Sequence, residues 1–191
     1  MTDPVEADLI AKARAGSFSA FEEIVKRHQR RVYAVARRIV RRHDLADDVA
    51  QEAFIRAHRA LGDFDLARPF GPWICRIAAN LAINRVRSPE HREEPLDDRP
   101  SPATAAGADP LAGLLEAEAQ AMLERALGAL PPEQRAVFVL RVSEELSYRE
   151  IAEALGISIG TVMSRLWRAR EKLRSLLLPY LTDARAARGA P

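Results

Sequence analysis

The chain has 191 residues, 48% apolar and 29% charged, with 29 Lys and Arg against 27 Asp and Glu for a net charge of +2. That fits one large domain or two small ones and is too apolar for a wholly disordered chain; the single cysteine, Cys75, excludes an intrachain disulfide and a thiol-pair zinc site. No charge-free run approaches the roughly 20 residues a membrane helix needs, and the acidic start is not a signal peptide, so a soluble, cytoplasmic protein with no direct membrane insertion is expected.

From Val5 to about Arg87 the pattern is helical. Apolar residues recur at three and four: Phe18, Phe21, Ile24 and Val25, then Val32, Val35 and Ile39, then Leu45, Val49, Ala53, Phe54 and Leu61. Ser17 or Ser19 suits a helix cap, and Asp44 suits the cap of the next helix. Lys26 to Arg42 holds eight Lys or Arg and no acid. Such a face is either solvated or a nucleic-acid track. The following helix has the opposite sign. Asp44, Asp48, Gln51, Glu52 and Ile55 share one face, with Leu45, Val49, Ala53 and Ala57 opposite. An acidic face with an exposed isoleucine suits docking to a basic partner.

Trp73 to Arg87 reads as a further helix with Ile74, Ile77, Ala78 and Leu81 buried. Arg76, Asn80, Ile83, Asn84 and Arg87 line another side. Asn and Arg bond base edges and phosphates. The loop before it carries Phe64 and Phe70, which are either core residues or rings on which unstacked bases lie. Trp73 and Cys75 are expected in the core.

Residues 88–112 differ. They hold five prolines and six acids against two bases, for a local charge near −4. This composition packs no core and reads as a flexible linker, either a plain tether or a strand lying in a partner's basic channel. Helical periodicity returns over 113–180, where Pro131-Pro132 opens one helix. Residues 181–191 read as a disordered Ala/Arg-rich tail. The expected fold is all-α: an N-terminal helical bundle over 1–87 and a second helical domain over 113–180.

Within that second domain Ser147 and Glu150 have capping-box spacing, Ile151 and Leu155 make an apolar stripe, and Gly156 suits a sharp turn. Thr161 then starts a helix whose buried stripe is Val162, Leu166, Ala169 and Leu173. Its other face carries Thr161, Ser164, Arg165, Arg168 and Lys172. This is a helix-turn-helix with a basic second helix, the layout that enters a DNA major groove. An enzyme is not expected. The four histidines (28, 43, 58 and 91) form no metal-binding pair, no phosphate loop is present, and Cys75 has no evident base partner. No cofactor, metal or small-molecule substrate is expected.

Taken together, the stretches Ala20–His28, Asp47–Ala57, Phe70–Asn84, Leu130–Arg141 and Leu146–Arg174 resemble the sigma-70 family of RNA polymerase specificity subunits, specifically its small extracytoplasmic-function (ECF) group. The resemblance implies a transcription-initiation role. Asp44, Asp48, Gln51, Glu52 and Ile55 would dock on the β′ clamp helices of core RNA polymerase, and the second domain on the β flap. Arg76, Asn80, Asn84 and Arg87 would read and open the minus-ten element. Thr161, Ser164, Arg165, Trp167 and Arg168 would read the minus-thirty-five element of promoter DNA. It also implies an anti-sigma partner, and a linker threading the polymerase active-site region. Two positions depart from the family's usual pattern: Met163 replaces a polar or basic residue, and Gly71-Pro72 stands where polar residues are common. The competing reading is a stand-alone helix-turn-helix regulator with an N-terminal sensing domain.

Overall fold

The computed structural model describes residues 3–88 and 110–188; the stretch read as a linker lies almost wholly outside them. Every element among the described residues is helical. Asp3 caps α1 (Pro4–Arg14), and Pro4 stands at its first position, where a missing N–H costs nothing. The Ser17 side chain accepts from the Ala20 N–H to start α2 (Phe18–Val40). Arg41 ends that helix in the left-handed region, at φ 63°. Next come α3 (His43–Arg59), a 3-10 turn at Leu61–Asp63, and α4 (Phe70–Arg87). Helices α2, α3 and α4 pack on one another, with Ile24, Val32, Val35, Ile39, Val49, Ile74 and Ala78 all at most 2% exposed between them.

The second unit comprises α5 (Pro110–Gly128), α6 (Pro132–Val142), α7 (Tyr148–Leu155) and α8 (Ile159–Arg188). The backbone of α5 thus begins inside the stretch read as linker. The backbone of α8 runs past residue 180 into the stretch read as tail, in keeping with the high helix propensity of Ala and Arg. Val162, Leu166, Ala169 and Leu173 form the buried stripe of α8, as their spacing predicts. The two units pack against each other, α6 on α2 and α4, and α7 on α4.

Candidate nucleic-acid and polymerase interfaces

The start of α7 is built as the sequence indicates. The Ser147 backbone N–H and hydroxyl both donate to Glu150 Oε2, at 2.9 and 2.8 Å, and the Glu150 N–H donates back to the hydroxyl at 3.2 Å. These bonds, the Ser147 N–H first, hold the Glu150 carboxyl below its usual range, and the Arg76 charge adds to them. A depressed carboxylate stabilises the fold above its unfolded pKa and loses that contribution as pH falls through the folded value. Melting temperature is therefore expected to fall below the ordinary carboxylate range, near pH 4. Ser147→Ala should remove about 1 kcal/mol at neutral pH and make that acid limb shallower in a pH series of thermal melts without abolishing it, because the Ser147 N–H and Arg76 still hold the carboxylate.

Gly156 closes α7 at φ +62°, a left-handed conformation that favours glycine. The cap of α8 is Ser158, whose hydroxyl accepts from the Thr161 N–H at 3.1 Å, so the helix starts at Ile159, earlier than read from Thr161. Ser164, Trp167 and Arg168 are exposed, and Thr161 and Arg165 are half-buried. Met163 also lies in the open at 54% exposure, where a thioether offers a phosphate nothing.

On α3 Asp44, Asp48, Gln51 and Ile55 are exposed, as are Asp47, Arg56, His58 and Arg59, with Glu52 half-buried beside them. Their opposite face, Leu45, Val49, Ala53 and Ala57, is buried. Asp44 is not the helix cap. It lies in the first turn and pairs with Arg42, whose hydrogen bonds bring its pKa down to about 2. Glu52 pairs with Arg56 at 2.7 Å. Behind this face an open groove of about 390 Å³ is lined by Val25, Tyr33, Ala50, Gln51 and Phe54.

Three of the four polar residues singled out on α4 are engaged by the second unit. Arg76 pairs with Glu150 at 2.7 Å, Arg87 with Glu133 at 3.0 Å, and Asn80 Nδ2 donates to the Ala154 carbonyl. Asn84 is exposed. Ile83 is not on that polar side; it is 6% exposed and part of the core. Phe64 and Phe70 are also core, at 4% and 0% exposure, and stack edge-on with ring centroids 5.5 Å apart. Neither offers a free face to a base. Trp73 leans on both and stays half-buried.

Sequence reasoning missed a further set. Arg31 pairs with Glu144 at 2.7 Å, and Arg38 donates to the Ser143 hydroxyl at 2.9 Å. Arg135 is buried and donates to the carbonyls of Ile39 and Leu130 at 2.7 and 2.8 Å. Burial, with Arg41 nearby, lowers its pKa to about 10. It sits at the C-terminal end of α2, where the helix dipole favours a cation. The basic run 26–42 was the available signal. Its destination, the protein's own second unit, carries no mark in the sequence.

Residues 24–92 match the family described as Sigma-70 region 2, and residues 120–173 match Sigma-70 region 4. The RNA polymerase sigma-H factor of Pseudomonas aeruginosa is 33% identical, covering 96% of this chain and 100% of its own. The ECF RNA polymerase sigma factor SigW of Bacillus subtilis is 36% identical, covering 88% and 94%. The chain belongs to the ECF group of the sigma-70 family. It is a sigma factor, a subunit that directs RNA polymerase in transcription initiation. Among solved structures, CnrH in complex with the cytosolic domain of CnrY matches with a TM-score of 0.60 and 32% identity over 91% of this chain and 97% of that one. The RpoE sigma factor of Bartonella quintana, solved with the anti-sigma factor NepR, shares the fold at a TM-score of 0.65 and 24% identity, over 82% of this chain and 96% of that one. No helix of the described part of this sigma factor is long and apolar enough to cross a membrane.

Proposed function

We propose that this sigma factor docks on core polymerase through the α3 face, opens the minus-ten element with α4, and reads the minus-thirty-five element with α8. The observation that carries the reading is one chain with an exposed acidic helix in its region 2 and an exposed Ser164–Trp167–Arg168 face in its region 4. Its chemistry is binding alone: contacts to the opened strand offset the cost of unstacking, a few kcal/mol per flipped base. No catalysis, cofactor or small-molecule substrate enters. The site of action is the cytoplasm, with an anti-sigma protein as the restraining partner and the β flap holding the second unit. A stand-alone regulator is disfavoured, because it has no use for an acidic face on region 2.

The test is run-off transcription by core polymerase with the purified chain on a genomic promoter library. New start sites sharing a two-part upstream motif are expected. Specific duplex binding without polymerase association would instead establish the regulator. Once the motif is known, Arg168→Ala should cost about 1–3 kcal/mol on that minus-thirty-five element if it reads a base. An equal loss on random duplex would make it a phosphate contact, and binding titrations on both DNAs separate the two.

A further inference from the structure

Resting on the assignment of α8 to the minus-thirty-five element, we infer that Met163 sets part of its specificity: with Ile159 and Trp167 on either side, it takes the 5-methyl group of a thymine in the major groove. The three side chains stand at i, i+4 and i+8 of α8, on one stripe along the helix. They are 46, 54 and 66% exposed, whereas Val162 and Leu166 beside them are buried. Single exposed apolar residues are ordinary on a protein surface. Packing does not account for a stripe of three large ones on the helix that enters the groove.

The polar side chains of the same turns are already bonded within the helix. Ser158 Oγ accepts from the Thr161 N–H at 3.1 Å and lies 2.8 Å from Thr161 Oγ1. Ser164 Oγ donates to the Thr161 carbonyl at 3.1 Å. Arg165 is half-buried, and its charge reaches Glu133 of α6. The N-terminal turns of a recognition helix are the ones that meet base edges. In α8 those turns therefore present hydrocarbon and a thioether outward.

The charge around the stripe identifies what covers it. Arg168, Arg170, Lys172 and Arg174 are exposed, with Glu171 the single acid among them, so this part of the surface attracts a polyanion. On the base edges of the major groove the apolar group is the thymine methyl. A thioether chain is flexible and polarisable and adapts to it, and Ile159 and Trp167 keep water from either side. Burying one methyl in this way contributes about fourfold in affinity. A basic residue at position 163 would instead hold a phosphate, which carries no sequence information.

The experiment uses holoenzyme assembled from core polymerase and the full chain, on duplex promoter DNA carrying the motif obtained by run-off selection. Each thymine of the minus-thirty-five element, on either strand, is replaced singly by deoxyuridine, which keeps the base pairing and removes only the methyl. Binding is read by fluorescence anisotropy. One replacement should weaken binding by the native chain about fourfold. Met163→Leu should keep that discrimination. Met163→Ala and Met163→Arg should lose it, the latter while holding a random duplex at least as tightly as the native chain through a new phosphate contact. A minus-thirty-five element without thymine, a native chain indifferent to every replacement, or the same discrimination in Met163→Arg would each overturn the inference. So would variants at position 163 that alter core polymerase affinity or self-association and leave the deoxyuridine series unchanged, which would make the stripe a protein contact. Failure of the α8 assignment shows separately and takes the inference with it: Arg168→Glu would then bind both the motif and a random duplex as the native chain does.

Discussion

Asp48→Arg combined with Glu52→Arg is expected to abolish binding to core polymerase while leaving the fold intact. Asp48 is exposed, and Glu52 makes only an i,i+4 pair with Arg56 on the helix surface. Such pairs contribute little to stability, so the thermal transition should barely move. The carboxyl of Glu52 is nonetheless held below its usual range, first by its bonds to Arg56 and then by the charges of Arg59 and Arg85. Glu52 thus carries its charge at neutral pH. Reversing two of its charges turns attraction for a basic partner into repulsion, a loss of roughly a hundredfold or more in affinity. Surface-immobilised core polymerase titrated with each protein gives the answer. Unchanged affinity would remove α3 from the docking surface.

Ile151→Ala carries the second large effect. Ile151 is fully buried in α7 and belongs to the same apolar cluster as Leu140 of α6 and Val162 and Leu166 of α8. Removing its side chain forfeits transfer energy and leaves a cavity, together about 2–5 kcal/mol. That is a large share of the 5–15 kcal/mol typical of a whole domain. An eight-residue helix such as α7 has no stability of its own, so its anchor is also what sets the approach of α8. Chemical denaturation should show the loss directly, and duplex binding at the minus-thirty-five element should fall with it. A cost under about 1 kcal/mol would mean the neighbours collapse into the space.

The second unit was nearly transparent to its sequence because its signals are local. Ser147 and Glu150 are three residues apart, Gly156 acts at its own position, and the stripe from Val162 to Leu173 needs only helical periodicity. Helix α4 was read less well. Periodicity assumes one buried face, but α4 is covered by α2 and α3 and again by α6 and α7. Ile83 therefore lies in the core although it shares a side with Asn80 and Asn84. The exposed acidic face of α3 is legible as a charge pattern, whereas Asp44 does not cap the helix, because Arg42 is the residue before it and pairs with Asp44 in the first turn. The pairing of Arg31 with Glu144 joins positions far apart in the chain, and nothing in either neighbourhood announces it.

Helix α1 lies ahead of the stretch that matches the family, which begins at residue 24. Its last residue, Arg14, nevertheless donates to the carbonyls of Leu61 and Phe64, and its Glu6 meets His28 at 2.5 Å. The floor under Phe64, Phe70 and Trp73 is thus anchored from outside the recognisable module. A fragment trimmed to the matched boundaries would keep every residue assigned to the promoter and still loosen the aromatic corner from which α4 departs. Modularity in this chain is a property of its ancestry more than of its mechanics.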